Sequence, residues 1–107
     1  MMRQGVEVFV ATEPVDMRYG FKRLCQLVRE RMGREPRSLA MFVFISKNGR
    51  SMKVLTWDGS GLILHYKKLD IGMFELPLPS GPNERSVQVS EAVFEAMFCG
   101  MSRVTLH

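Results

Sequence analysis

The chain of 107 residues carries a net charge of +4, and hydrophobic and charged residues make up 46% and 24% of it. These proportions are typical of a globular protein and exclude disordered, collagen-like and low-complexity classes. Because the length suits one core rather than two, we predict a single domain over residues 1–107. The longest apolar run, residues 39–45, is far shorter than the roughly 20 residues of a membrane helix. With no signal-peptide pattern at the start, we expect a soluble cytoplasmic protein that makes no membrane contact.

The two cysteines, Cys25 and Cys99, lie far apart in apolar surroundings and outside any CxxC or Cys/His cluster. This placement favours buried free thiols over a disulfide or a metal site. The sequence also shows no metal-ligand spacing and no serine or cysteine with a recognisable base nearby. We therefore predict no metal, no cofactor and no enzymatic activity.

The first elements in the chain are a strand and a helix. Valines alternate over residues 6–10, which predicts a short strand with one buried face. Apolar residues then recur at helical spacing from Met17 to Met32, which predicts a helix with one buried face. Asp16 is the expected N-cap of that helix, and Gly33 is expected to end it.

A β-hairpin is predicted next, from two strand-like runs at residues 39–46 and 51–57. Asn48-Gly49 between them favours a two-residue type I′ turn, in which both central residues have positive φ. That turn would place Lys47 opposite Arg50, Ile45 opposite Met52 and Phe44 opposite Lys53. A third strand over residues 62–69 would complete a meander.

The segment between the second and third strands of this meander reads Trp57-Asp58-Gly59-Ser60-Gly61. It lacks the full GxGxxG and P-loop patterns, and a strand rather than a helix follows it, so a phosphate site is disfavoured. We predict that residues 58–61 only turn the chain. Trp57 is interpreted as a packing residue, with a stacking platform beside Lys53 as the alternative.

The C-terminal part predicts a short strand over residues 73–77, a loop rich in proline and glycine, and a strand fragment over residues 85–89. A last helix is expected to begin after Ser90 and to end at Gly100. The predicted fold is α+β, a mostly antiparallel β-meander sheet packed with one long N-terminal helix and a short C-terminal helix.

The charge is unevenly distributed. Residues 18–68 hold 12 basic and 3 acidic residues, a net charge of +9, whereas the flanks carry −5. This basic middle is interpreted as a polyanion-binding face, and the alternative is an ordinary solvated surface. Strand alternation can place the neighbouring Lys67 and Lys68 on opposite faces of the sheet, which would halve the size of the basic face. Lys47 belongs to the same basic set, and the candidate DNA-binding residues are Arg18, Lys22, Arg23, Arg50, Lys53, Trp57, Lys67 and Lys68.

Three stretches in this order resemble a known family: residues 11–24 (ATEPVDMRYGFKRL), residues 42–77 and, more weakly, residues 91–101. The chain resembles, over nearly its whole length, the TnpB accessory proteins of insertion-sequence-sixty-six-type bacterial mobile elements. The resemblance implies a protein encoded beside a separate transposase and needed for efficient transposition, without strand-cutting carboxylates of its own. The last helix departs from the family, because it carries Phe and Met where the family is rich in Leu.

Two functions remain open at this point. The first is a non-catalytic accessory factor that holds the DNA ends of the mobile element by phosphate contacts. The second is an adaptor that docks on the cognate transposase through an exposed strand edge or the face of Phe94, Met97 and Phe98. Homo-oligomerisation is left open. One contiguous basic face would favour DNA, whereas scattered charges beside an uncovered apolar patch would favour the adaptor.

Overall fold

The computed structural model describes residues 5–100, which form one five-stranded sheet and two helices. The strand order across the sheet is β4-β3-β2-β1-β5. Along the chain the elements are β1 (Val8–Ala11), α1 (Phe21–Arg31), β2 (Met41–Ile45), β3 (Ser51–Trp57), β4 (Leu62–Lys68), β5 (Ser86–Val89) and α2 (Glu91–Phe98). None of the helices in this described part is long and apolar enough to cross a membrane.

The sheet is mixed. The predicted meander is confirmed for β2, β3 and β4, which pair antiparallel in chain order. β1 instead lies parallel to β2, with Val8 opposite Met41, and antiparallel to β5. A parallel pair needs a long crossover connection, and the chain from β1 to β2 provides it through α1. The predicted α+β class is therefore correct and three of the four strand pairs are antiparallel, but β1 lies outside the predicted meander because it pairs parallel to β2.

Helix α1 is shorter than predicted and lies after β1 rather than at the N-terminus. It begins after Gly20, which occupies the N-cap position in an extended conformation without a side-chain hydrogen bond to the helix. Asp16 is not the N-cap, because its carboxylate binds the backbone N–H of Arg18 at 2.8 Å and closes a local turn before the helix. The C-terminal end agrees with the sequence, since Gly33 has φ 64° just past the helix.

The sheet buries apolar side chains on both faces. On the α1 face, Leu24 and Val28 of the helix pack with Phe42 and Phe44 of β2. On the α2 face, Phe94 of the second helix packs with neighbouring valines and methionines of the central strands. All five residues of β2 are buried, which explains its uninterrupted apolar sequence.

The hairpin register predicted for β2 and β3 is confirmed, with Ile45 opposite Met52. The turn itself is not type I′. Within residues 5–100 only glycines have positive φ, so Gly49 at φ 73° is left-handed and Asn48 is not. The N–H of Gly49 donates to the carbonyl of Ser46 at 3.0 Å, which gives a wider loop than the two-residue turn.

The segment between β4 and β5 has no regular secondary structure, so the strand predicted over residues 73–77 is absent. Phe74 is nevertheless buried, and its N–H donates to the carbonyl of Gly49 at 2.6 Å. The last two elements agree with the sequence. The hydroxyl of Ser90 caps α2 by accepting the N–H of Val93 at 3.1 Å.

The two cysteines have different environments, and both are free thiols. Cys25 is buried in the core beneath α1, as predicted. Cys99 is exposed, contrary to the prediction, because it lies at the C-terminal end of α2 and not on its packed face.

Candidate nucleic-acid interface

An open groove lies on the α1 face, where the loop between β2 and β3 meets the end of β4. Residues 14–17 form one wall of this groove and lead toward α1. The loop between β2 and β3 contributes Ser46, Lys47 and Asn48, the first residue of β3 contributes Ser51, and β4 contributes Tyr66 and Lys68. Because Ser51 lies directly opposite Lys68, the register of β3 and β4 brings the loop and the strand end together.

The groove is electropositive. Lys47 and Lys68 are exposed on its lining, and Asp16 is the single carboxylate among the lining residues. Asp16 is neutralised by the guanidinium of Arg18, whose Nη2 lies 2.7 Å from Oδ2. Hydrogen bonds from the side chain and the backbone N–H of Arg18 lower the pKa of Asp16 to about 2. The two lysines are therefore left without an acidic partner in the groove.

Arg50 belongs to the same loop as Lys47, and its carbonyl accepts the N–H of Leu69 at 2.8 Å. This bond holds the loop against the end of β4. The prediction that Lys47 lies opposite Arg50 is wrong, because the two-residue turn on which it depends is not formed. Lys47 and Lys68 line the groove, Arg18 pairs with the lining residue Asp16, and Arg50 belongs to the loop of Lys47. We call these four exposed cations the cationic rim.

Lys53 lies beneath the groove rather than on it. The residue is only 8% exposed, and its Nζ donates to the carbonyl oxygen of Tyr19 at 2.8 Å. The same Nζ lies 5.0 Å from the centroid of the Tyr66 ring. The ammonium group therefore ties the segment before α1 to the sheet, and it is shielded from a phosphate in solvent.

Lys67 lies on the opposite face of the sheet from Lys68, as strand alternation predicts. Its Nζ donates to the carbonyl of Phe98 at 2.6 Å and lies 4.6 Å from the centroid of that ring. A cation at the last carbonyls of a helix is favourably placed in the helix dipole. Lys67 therefore anchors α2 and is not brought together with the cationic rim.

Lys22 and Arg23 lie in the first turn of α1. Lys22 is exposed, whereas the guanidinium of Arg23 lies 5.2 Å from the centroid of the Tyr19 ring and donates to Gln26 at 2.8 Å. Neither residue lines the groove. Lys22 remains available to extend the cationic rim, but Arg23 is engaged with its own helix.

Trp57 lies at the other end of β3, half-buried, with the guanidinium of Arg37 5.8 Å from its ring centroid. Its ring lines a second, mostly apolar groove together with Leu39 and Ile63. We call this surface the Trp57 groove. Trp57 therefore does not join the cationic rim.

Residues 58–61 turn the chain, as predicted, because β3 ends at Trp57 and its partner β4 begins at Leu62. The carboxylate of Asp58 accepts the N–H groups of Ser60 and Gly61, both at 2.8 Å. These hydrogen bonds lower the pKa of Asp58. Since Asp58 already occupies both N–H groups, they offer no site to an external phosphate.

The fold and the groove define a small α+β domain with a basic surface on one side of its sheet. The family model described as IS66 Orf2 like protein matches residues 6–107, so the chain belongs to this family. The family places the protein among transposition-associated accessory proteins. The resemblance noted from the sequence is thereby confirmed.

Two proteins of Sinorhizobium fredii are similar to this chain. The uncharacterized protein y4jC is 37% identical over 93 residues, which cover 81% of this chain and 80% of that protein. The uncharacterized protein y4hO is 35% identical over 98 residues, which cover 92% and 83% respectively. No solved structure matches the chain.

Proposed function

We propose that this protein is a non-catalytic accessory factor of transposition that binds duplex DNA through the cationic rim. One observation carries the proposal: Lys47 and Lys68 line one open groove whose single carboxylate is already neutralised. Lysine and arginine side chains in such a groove bind DNA phosphates and release condensed counterions. The ends of the mobile element are the expected DNA, because the family is associated with transposition.

The contacts position DNA rather than read its bases. None of the four rim cations lies within a helix, so the rim does not present a helix to a major groove. Phosphate contacts fix orientation but carry no direct sequence information. We therefore expect weak sequence preference and a strong dependence of affinity on salt concentration.

The salt dependence has an expected size. Three phosphate contacts, from the rim cations other than the paired Arg18, give a slope of about −2.7 in log affinity against log salt, or roughly 40-fold weaker binding at 200 mM than at 50 mM. Fluorescence anisotropy of the purified chain measures this slope. The probes are a labelled duplex of the terminal repeat of the element and a scrambled duplex of the same length.

The matched variants remove two positive charges each. Lys47→Ala/Lys68→Ala should weaken binding about tenfold or more and reduce the slope by about 1.8. Arg29→Ala/Arg31→Ala removes two exposed cations from the last turn of α1, outside the groove, and should change both quantities much less. Equal losses in the two variants would show that only net charge matters. The absence of binding to either duplex at 50 mM salt would overturn the proposal.

An adaptor that docks on the transposase is the second candidate function. It is favoured by large apolar side chains left uncovered between β4 and β5, where Ile71, Met73 and Leu78 are 88%, 58% and 75% exposed. The helix face considered from the sequence is less suitable, because Phe94 is fully buried against the sheet. Co-purification of the co-expressed transposase by the wild type, and its loss in Ile71→Ser/Leu78→Ser, would support the adaptor.

A further inference from the structure

Strand β4 forms one edge of the sheet over seven residues. Among residues 5–100, β4 is paired on one side, with β3, and no strand lies on its other side. An unpaired strand edge presents a row of N–H and C=O groups that another chain can pair with. Natural proteins commonly protect edge strands from such pairing by short length, β-bulges or charged side chains.

The hydrogen bonds at the two ends of β3 and β4 show which groups face outward. Asp58 N–H donates to Gly61 C=O at one end, and Leu69 N–H donates to Arg50 C=O at the other. Hydrogen-bonded and non-hydrogen-bonded residue pairs alternate along an antiparallel ladder. Counting from either end assigns the same residues of β4 to the hydrogen-bonded pairs. The residues bonded to β3 are Ile63, His65 and Lys67. The residues whose backbone groups point away from β3 are Leu62, Leu64, Tyr66 and Lys68.

The described structure leaves these outward groups open. Within residues 5–100 they have no hydrogen-bond partner outside the sheet ladder. Tyr66 is 59% exposed, and Lys68 is also exposed, so the C-terminal half of the edge is open to solvent. An extended peptide can therefore approach the edge from the side.

The surroundings of the edge differ from end to end. Near its start lies the Trp57 groove, which is mostly apolar. At its end Lys68 lies beside Lys47 on the lining of the basic groove. There is no Asp or Glu between Leu62 and Leu69. The edge therefore combines an apolar end with a positive end.

We propose that the edge of β4 binds an extended acidic segment of a partner protein as an added antiparallel strand. Backbone hydrogen bonds would supply affinity, and the cations at the end of β4 would select carboxylates. A second copy of β4 fits less well, because antiparallel self-pairing brings two sets of His65, Lys67 and Lys68 together without an acidic residue in either strand. Lys47 and Lys68 also belong to the proposed DNA contact, so the two interactions share cations and are measured with separate probes.

The probe is a fluorescein-labelled eight-residue peptide of alternating glutamate and valine, and the control peptide replaces glutamate by lysine. Anisotropy with the full chain should show binding of the glutamate peptide only. The matched variants are Tyr66→Thr and Tyr66→Pro. Both remove the ring, but only proline removes the outward N–H. We expect Tyr66→Thr to bind within threefold of the wild type and Tyr66→Pro to bind at least fivefold more weakly.

Amide hydrogen exchange in the wild type tests the same geometry even if Tyr66→Pro does not fold. The glutamate peptide should slow exchange of the outward amides of Leu62, Leu64, Tyr66 and Lys68 at least tenfold, and it should change those of Ile63, His65 and Lys67 little.

Four results would overturn the edge proposal. They are no binding at about 1 mM peptide, equal binding of the lysine peptide, equal affinity of Tyr66→Pro and Tyr66→Thr, and binding without protection of the outward amides. Protection that appears on raising the protein concentration alone would identify a second copy as the occupant instead. Each of these failures leaves the DNA proposal standing, because duplex binding is measured separately on variants of the cationic rim.

Discussion

The Nζ of Lys53 donates a hydrogen bond to the carbonyl oxygen of Tyr19, 34 residues earlier in the chain, at 2.8 Å. This contact joins β3 to the segment that leads into α1. It also removes Lys53, one of the seven cations among the eight candidate residues, from the DNA surface, although its position on the same strand face as Trp57 suggests a ligand contact. Mutation of a buried lysine with a structural partner should lower the stability of the fold. Mutation of an exposed lysine without such a partner should leave stability nearly unchanged.

Lys53→Met should destabilise the fold by about 1–3 kcal/mol, because the methionine fills similar space but leaves the carbonyl of Tyr19 without its donor. Urea unfolding measures the change in the free energy of unfolding. Lys22→Met is the control, since Lys22 is exposed and should change stability by less than about 0.5 kcal/mol. Unchanged stability with loss of DNA binding would show instead that Lys53 contacts DNA.

Lys67 and Lys68 should also respond differently, although they are neighbours in β4. Lys67→Met removes the bond to the carbonyl of Phe98 and should cost about 1–2 kcal/mol. Amides in the last turn of α2 should then exchange faster with solvent. Lys68→Met should leave the free energy of unfolding nearly unchanged but weaken duplex binding. If both variants weaken duplex binding equally and neither loses stability, the assignment of Lys67 to α2 is wrong.

These contacts indicate what the sequence predicts and what it does not. The register of β2 and β3 follows from local alternation, and the cap at Ser90 follows from a local hydrogen bond. The parallel position of β1 depends on a partner strand beyond α1, which no local pattern specifies. Asp16 was a plausible cap, but its carboxylate binds the nearby N–H of Arg18 instead.

The candidate site was predictable only in part for the same reason. The basic middle of the chain is visible in the sequence, and alternation separates Lys67 from Lys68. The partners that sequester Lys53 and Lys67 lie 34 and 31 residues away, so the sequence gives no sign of them. Lys47 is not among the eight candidate residues, although it lines the groove. Its position in one loop with Arg50 was the available signal.

The turn glycines should differ in their tolerance of a side chain. Gly49 has φ 73°, and an added Cβ would lie 3.0 Å from the backbone oxygen of Phe74. Gly59 has φ 96°, but nothing lies within 4 Å of an added Cβ. Gly59→Ala should cost about 1–2 kcal/mol through backbone strain alone, and Gly49→Ala should cost more because it also displaces Phe74. Thermal unfolding of the two variants compares them directly, and equal losses would contradict the close contact at Gly49.

The ion pair between Asp16 and Arg18 should make the free energy of unfolding depend on pH in the acidic range. The pKa of Asp16 in the folded protein is lowered to about 2, from an ordinary value of 3.8. A carboxyl group with a lowered pKa contributes stability above its unfolded pKa and loses that contribution as the pH falls through the folded value. The wild type should therefore lose stability between about pH 4 and pH 2, and Asp16→Asn should lose less over the same interval.

Asp16→Asn also tests the DNA proposal at neutral pH. The variant removes the single carboxylate among the groove-lining residues and releases the guanidinium of Arg18, so duplex affinity should rise and the salt slope should steepen by about 1. Glu35→Gln is the matched control, because Glu35 pairs with Arg29 outside the groove. Unchanged duplex affinity in Asp16→Asn, or an equal increase in both variants, would show that DNA does not bind at this groove.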